Sequence, residues 1–309
     1  MKQLLILSGK GGTGKTTIAS AFIKLAEIRA YADCDVDAPN LHLVTKDFQE
    51  PIYRDFYGMC KAEINNDLCK KCGVCFQHCR FHAIIKDHDS CKVEYYSCEG
   101  CGVCEILCPN DAISLKPAVA GDLMLHIDDG RAFSTAQLRM GSGNSGLLVT
   151  EVKKQMKTAG VKTDLAIIDG SPGIGCPVIA SLRGVDMVLI VTEPSLSGIS
   201  DMKRIIKTAE IFQVKIAVCI NKYDSNINIT EKINGFCRIA GLPVVGKIPF
   251  DVEAVKAVNR GETIVDIDCE AGRAVKKTLQ NVLRILFDQD DKKQGDSKNR
   301  KNIAEGMEV

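Results

Sequence analysis

The chain has 309 residues, 45% hydrophobic and 26% charged, and its 40 Lys and Arg against 39 Asp and Glu leave a net charge of +1. That is ordinary composition for about two globular domains, without the basic excess of a dedicated nucleic-acid binder. No apolar run approaches the roughly 18 residues of a spanning helix, and the amino terminus lacks the apolar region and cleavage site of a secretory signal. A cytoplasmic protein with no stable membrane anchor and no nucleic-acid partner is therefore expected.

In chain order, residues 3–8 form a short apolar run ending at a glycine loop, the pattern of a buried strand, and residues 15–26 follow with helical periodicity. Residues 29–35 predict a second strand ending in acids, whereas 40–62 show no clear period. A cysteine-rich stretch, 62–115, comes next. Residues 121–138 alternate about Asp129-Gly130, a hairpin signal. A glycine-serine loop over 141–146 precedes a helix over 147–159. Strands follow at 164–169, 186–192, 214–221 and 244–249, with a helix over 201–212. Val275, Leu279, Val282, Leu283 and Leu286 put an apolar stripe on 273–287, predicting a helix docked on the sheet rather than one lying on a membrane. The mixed-charge stretch 288–309 is expected to be disordered.

Strands alternating with helices of this length predict an α/β fold with a mostly parallel sheet covered by helices on both faces. The cysteine stretch interrupts the alternation. The expected layout is one α/β domain in two parts, 1–61 and 116–287, with a small α+β domain, 62–115, inserted between them.

Residues 9–17 spell GKGGTGKTT. Gly9, Gly14, Lys15 and Thr16 fit G-x-x-x-x-G-K-[ST] between a predicted strand and a predicted helix, the context the motif requires. In such a loop the backbone from Gly9 through Lys10, Gly11, Gly12, Thr13, Gly14, Lys15, Thr16 and Thr17 wraps N–H groups around phosphates at a helix N-terminus. Lys15 is expected to reach the β- and γ-phosphates of ATP, and the Thr16 hydroxyl to ligate Mg²⁺.

The second lysine, Lys10, makes this loop resemble that of the MinD/ParA ATPases, a class that includes the nitrogenase iron protein. The resemblance implies that Lys10 crosses a homodimer interface to nucleotide held by the partner. Asp33-Cys34-Asp35-Val36-Asp37 matches the family's acidic switch I segment. By that match Asp35 orients the attacking water and Asp33 lies near the Mg²⁺. DLAIIDGSPG matches the Walker B strand and switch II, with Asp169 behind the metal and Gly173 near the γ-phosphate. Asn221 matches the residue that reads the adenine edge, and Pro249 and Phe250 fall where the family packs the base. Independently, acids at the C-terminal ends of parallel strands lie where open α/β sheets bind ligands.

Nine of the fifteen cysteines lie between 69 and 108. Cys69, Cys72, Cys75 and Cys79 are spaced C-x2-C-x2-C-x3-C, and Cys98, Cys101, Cys104 and Cys108 repeat the spacing with Pro109 after the last. Thiolates so spaced suit iron–sulfur clusters, and in two-cluster ferredoxins the fourth cysteine of each run serves the other cluster. The assignment is Cys69, Cys72, Cys75 and Cys108 for one 4Fe–4S cluster, and Cys98, Cys101, Cys104 and Cys79 for the other. Structural zinc sites more often use two cysteine pairs across a long loop. Arg80 departs from the proline usual after the fourth cysteine. Cys60 and Cys91 fall outside the runs as spare thiols, and His78, His82 and His88 are expected to be surface residues rather than ligands.

Together the motifs resemble a MinD subgroup in which a bacterial-type ferredoxin is inserted after switch I. Residues 141–149, GSGNSGLLV, resemble a stretch that this subgroup carries; the alternative is a glycine linker whose Ser145 caps the next helix. Three functions remain open at this stage: ATP-gated electron transfer to a redox partner, maturation of a metallocofactor protein, and redox-sensing positioning. Eight ordered thiolates favour electron storage over cluster donation, since a donor must release its cluster.

Overall fold

The computed structural model describes residues 1–45, 48–87 and 90–287. The expected disordered tail and His88 lie outside those residues. The chain opens with β1 (Lys2–Ser8), α1 (Lys15–Leu25) and β2 (Ala30–Asp33), then passes through a 3-10 turn, Leu41–Leu43, to β3 (Ile52–Tyr57). The cysteine stretch supplies β4 (Lys61–Ile64), α2 (Val74–His78), β5 (Ile84–Lys86), β6 (Cys91–Val93), α3 (Val103–Ile106) and β7 (Ile113–Lys116). The hairpin β8 (Val119–Asp128) and β9 (Arg131–Leu138) leads into α4 (Ser145–Thr158), β10 (Leu165–Asp169), α5 (Cys176–Leu182) and β11 (Met187–Thr192). The remainder is α6 (Leu196–Ile211), β12 (Lys215–Asn221), α7 (Ile227–Ile239), β13 (Val244–Ile248), α8 (Val252–Asn259) and α9 (Glu270–Phe287).

Among the described residues one nine-stranded sheet has the order β13-β12-β11-β1-β10-β2-β9-β8-β3. The strands from β13 to β9 are parallel, and β8 pairs antiparallel with both β9 and β3. β1 shows why both faces are covered. Leu5 and Leu7 join one apolar core with α4, α5, α6 and α7, while Leu4 and Ile6 join a second with α1 and α9. Side chains alternate across a strand, so a strand buried on both sides must be apolar throughout. Val275, Leu279, Val282 and Leu286 of α9 are buried in that second core, as expected of a docked helix. No described helix is long and apolar enough to cross a membrane.

Three elements depart from the expectations. α6 begins at Leu196 rather than 201, because the Ser195 hydroxyl accepts the Gly198 N–H (3.0 Å) and starts the helix early. The patternless region holds the edge strand β3, in which five of six residues are exposed, so no buried face imposes alternation. α4 begins at Ser145 rather than 147, so Ser145 is its first residue and not its cap; the N-cap is Asn144, in a left-handed conformation and without a side-chain cap.

The cysteine stretch leaves the sheet between β3 and β8. Among the described residues its strands pair only with each other, β4 with β7 and β5 with β6. Ala62, Cys75, Ala83, Ile84, Cys98 and Ile113 form a separate small core. The C-terminal end of β3 and the N-terminal end of β8 lie on the same edge as the C-terminal ends of the parallel strands. The stretch therefore emerges on the side where the phosphate loop lies, two to three strands from β2, or about 10–15 Å at the usual strand spacing.

Candidate nucleotide site and cysteine layer

β1, β10 and β2 are adjacent and parallel, so Ser8, Asp169 and Asp33 end side by side. The loop after β1 closes into α1 through Gly14 at φ +88°, a conformation that costs glycine little. A Cβ on Gly14 would also meet Asn221 Nδ2 at 2.3 Å.

Lys15 is buried. Its Nζ lies 2.5 Å from Asp169 Oδ1, and the Thr16 hydroxyl donates to Asp169 Oδ2 at 2.6 Å. Burial alone would lower the lysine pKa, but Asp169, Asp33 and Asp35 outweigh it and raise the pKa. Asp33 accepts the backbone N–H groups of Asp35, Asn40 and Leu41 at 3.0, 2.9 and 2.9 Å, folding switch I back over the end of β2. Burial, and then the nearby charge of Asp169, push its pKa up to about 7. Burial raises that of half-buried Asp35 against the pull of Lys15. Gly173 N–H donates to the Ser8 carbonyl at 2.9 Å, joining switch II to the start of the phosphate loop. Carboxylates, a buried ammonium and a hydroxyl thus converge beside a glycine loop at a helix N-terminus, a donor set suited to a magnesium polyphosphate.

The pKa of Asp33 carries a prediction. An unfolded aspartate titrates near 3.9, so between about pH 4 and 7 the native state binds the proton that the unfolded chain has lost. Stability of the nucleotide-free protein is then expected to fall as pH rises through 7. Urea midpoints measured from pH 5.5 to 7.5 should decline for the wild type and flatten for Asp33→Asn. An equal slope in both would contradict the assignment.

Lys10 does not point away from its own subunit. Its Nζ pairs with Glu193 Oε1 at 2.6 Å and donates to the Ser195 and Ser197 hydroxyls at 3.3 and 3.2 Å. Glu193 also faces Lys222 Nζ at 3.6 Å, and that ammonium donates to the Gly12 carbonyl at 3.0 Å. Asn221 Nδ2 donates to the Thr13 carbonyl at 2.7 Å, and its Oδ1 accepts the Lys222 N–H at 3.0 Å. In this structure the Asn221 amide therefore braces the phosphate loop. Phe250, 52% exposed, donates its backbone N–H to Asp224 Oδ1 at 2.8 Å, which places the Pro249-Phe250 pair beside the turn that follows Asn221. Sequence reasoning missed Glu193 and Lys222. The available signal was their place just past the C-terminal ends of parallel strands.

The two cysteine runs repeat in backbone as well as spacing. Lys71 and Gly100 have φ +57° and +64°, Gly73 and Gly102 +83° and +79°, and His82 and Asp111 +52° and +49°. Cys79 Sγ accepts the Ala83 N–H and Cys108 Sγ the Ala112 N–H, each at 3.3 Å, while Cys98 Sγ accepts the Ala62 N–H at 3.5 Å. Such bonds favour sulfur that carries negative charge. Cys69, Cys72 and Cys75 of the first run line one cavity together with Cys108 of the second. Cys91, outside both runs, lines it too. Burial pushes the Cys75 thiol up to about 11, with neighbouring Cys91 adding to the effect, so ligation there must displace a firmly held proton. Cys60 is half-buried, and its carbonyl crowds Gly100. His78 and His82 are exposed. Among the described residues no three His, Cys, Asp or Glu side chains converge as they would around a single metal ion.

This sheet, loop and acid set define a P-loop nucleotide-binding protein. Residues 4–264 match the CobQ/CobB/MinD/ParA nucleotide-binding domain, and the chain belongs to that family. It is accordingly an ATP-binding ATPase. An uncharacterised protein of Methanocaldococcus jannaschii is 34% identical over 92% of this chain and 97% of its own. An iron–sulfur cluster carrier protein of the same organism is 25% identical over 91% of this chain and 83% of its own. In fold the chain is similar to the septum site-determining protein MinD of Pyrococcus horikoshii, solved with Mg-ADP. That match has a TM-score of 0.55 at 17% identity and covers 93% of this chain and 97% of that one.

Proposed function

We propose that this ATPase carries two 4Fe–4S clusters in an inserted ferredoxin-like domain, residues 62–115, and that nucleotide-dependent dimerisation gates electron transfer from them to a partner protein. The single observation that carries the reading is the cavity in which three cysteines of the first run meet the fourth of the second. That exchange is the one two-cluster ferredoxins make, and the N–H groups aimed at Cys79, Cys98 and Cys108 suit anionic sulfur. Cys69, Cys72, Cys75 and Cys108 would hold one cluster, and Cys98, Cys101, Cys104 and Cys79 the other. When bound, each would supply reversible one-electron storage.

On the nucleotide side Lys15 would hold the phosphates, Thr16 would ligate Mg²⁺ with Asp169 behind it, and Asp35 would orient the water. Glu193 keeps Lys10 on its own subunit until a partner's nucleotide competes for it. Asn221, Pro249 and Phe250 border the base. A chain of contacts links the two sites. Tyr96, beside the second run, packs on Gly141, where an added Cβ would lie 3.1 Å from its ring. The loop that follows leads into α4, where a Cβ added to Gly146 would lie 3.1 Å from the Cys176 carbonyl oxygen at the start of α5. Buried Lys153 of α4 donates to the Ala180, Ser181 and Arg183 carbonyls at the other end of α5 at 3.3, 2.5 and 2.7 Å. α5 directly follows Gly173, so a switch II displacement is carried to the cysteine layer through α4. This gives residues 141–149 a role as the link.

Maturation of another metalloprotein is the second reading, favoured by the likeness to the cluster carrier protein. Protein purified without oxygen should hold about eight irons, from two four-iron clusters. Cys79→Ser should remove the irons of the second site while leaving those of the first. Stoichiometric zinc in place of iron would overturn the reading.

A further inference from the structure

We propose that Cys91 is a fifth thiol of the first cluster site and exchanges with Cys72 as an iron ligand; this rests on the iron–sulfur reading above. Three observations carry it. Cys91 is 2% exposed and lines the cavity formed by Cys69, Cys72, Cys75 and Cys108. Its place there is fixed by the β5–β6 hairpin, in which it stands opposite Lys86. Cys72, by contrast, is the exposed member of the set.

The Lys86 ammonium bears on both positions. The neighbours acting on the Cys91 sulfur are Cys69, Cys75 and the Lys86 ammonium. The same ammonium lies over Gly73, next to Cys72, where an added Cβ would be 2.9 Å from Nζ. One cation therefore acts on the Cys91 sulfur and borders the residue next to Cys72. The exchange is balanced: the Cys91 thiol loses its proton and forms a sulfur–iron bond, and the Cys72–iron bond breaks as the departing thiolate takes up a proton. Neither the charge of the ligand set nor the oxidation state of iron changes. Ligation by buried Cys91 would lessen the cluster's contact with water relative to ligation by exposed Cys72. Solvent exposure and hydrogen bonding to sulfur are among the factors that set cluster potentials, so the choice between Cys72 and Cys91 offers two potentials for one site.

The test uses full-length protein purified without oxygen. Iron content and the electron paramagnetic resonance spectrum of the reduced clusters are recorded for wild type, Cys72→Ser, Cys91→Ser, the double variant and Cys72→Ser with Cys60→Ser. Wild type and each single variant should hold about eight irons, and the double variant about four, since only loss of both sulfurs leaves three ligands for a four-iron cluster. Cys72→Ser should keep a four-iron signal, shifted from that of wild type, and adding Cys60→Ser should not change it. Circular dichroism checks that the double variant is folded, and Cys91→Ala replaces Cys91→Ser if it is not. If Cys72→Ser loses or converts the first cluster as fully as the double variant, the exchange is refuted while the two-cluster reading stands. A wild type without iron refutes both.

Discussion

Lys15→Ala is expected to abolish ATP hydrolysis, with a fall of at least ~10²–10³-fold, the scale for removing one group aimed at developing transition-state charge. The loss should not stop at activity. Lys15 is the buried cation that faces Asp169, with Asp33 beside it. Removing it leaves the buried Asp169 carboxylate without its cation, which in comparable cases costs about 3–5 kcal/mol. The variant should therefore unfold at a distinctly lower urea concentration than wild type even without nucleotide. Adding Asp169→Asn removes the uncompensated charge and should restore much of the stability while leaving hydrolysis lost. That split separates the electrostatic role of the lysine in the empty site from its role on the phosphates. Hydrolysis within tenfold of wild type in Lys15→Ala would contradict the site.

How much of this was legible in the sequence follows from what kind of neighbour each residue needs. β1, the glycine loop and α1 are a local sequence of apolar run, turn and periodic helix, and the spacing alone places Lys15 and Thr16. The cysteine runs are local as well. Each wraps one loop, so the pattern shows without knowledge of the fold. Glu193 and Lys222 belong to loops after β11 and β12 and reach Lys10 and the Gly12 carbonyl only once the strands are ordered in the sheet. Asn221 has the right residue type for a base contact, yet which group its amide meets is decided by the approach of the phosphate loop. Cys91 carries no spacing signal. The β5–β6 pairing turns it into the first cavity, and pairing register is a tertiary property. β3 escaped notice because an edge strand with little buried surface has little reason to alternate.

The proposed coupling makes the nucleotide site and the cysteine layer one energetic system. Switch segments change arrangement with the γ-phosphate, and Gly173, α5, α4 and the loop at Gly141 form a packed path from switch II to Tyr96. A ligand that favours one arrangement must in turn be favoured by it. A redox titration of the loaded protein, with and without a slowly hydrolysed ATP analogue and Mg²⁺, measures this directly. Typical couplings of about 1–3 kcal/mol correspond to a shift of roughly 40–130 mV for a one-electron couple. A shift of that size is expected in at least one cluster, matched by an equal change in analogue affinity between reduced and oxidised protein. Superimposable titrations, with the same affinity in both redox states, would contradict it.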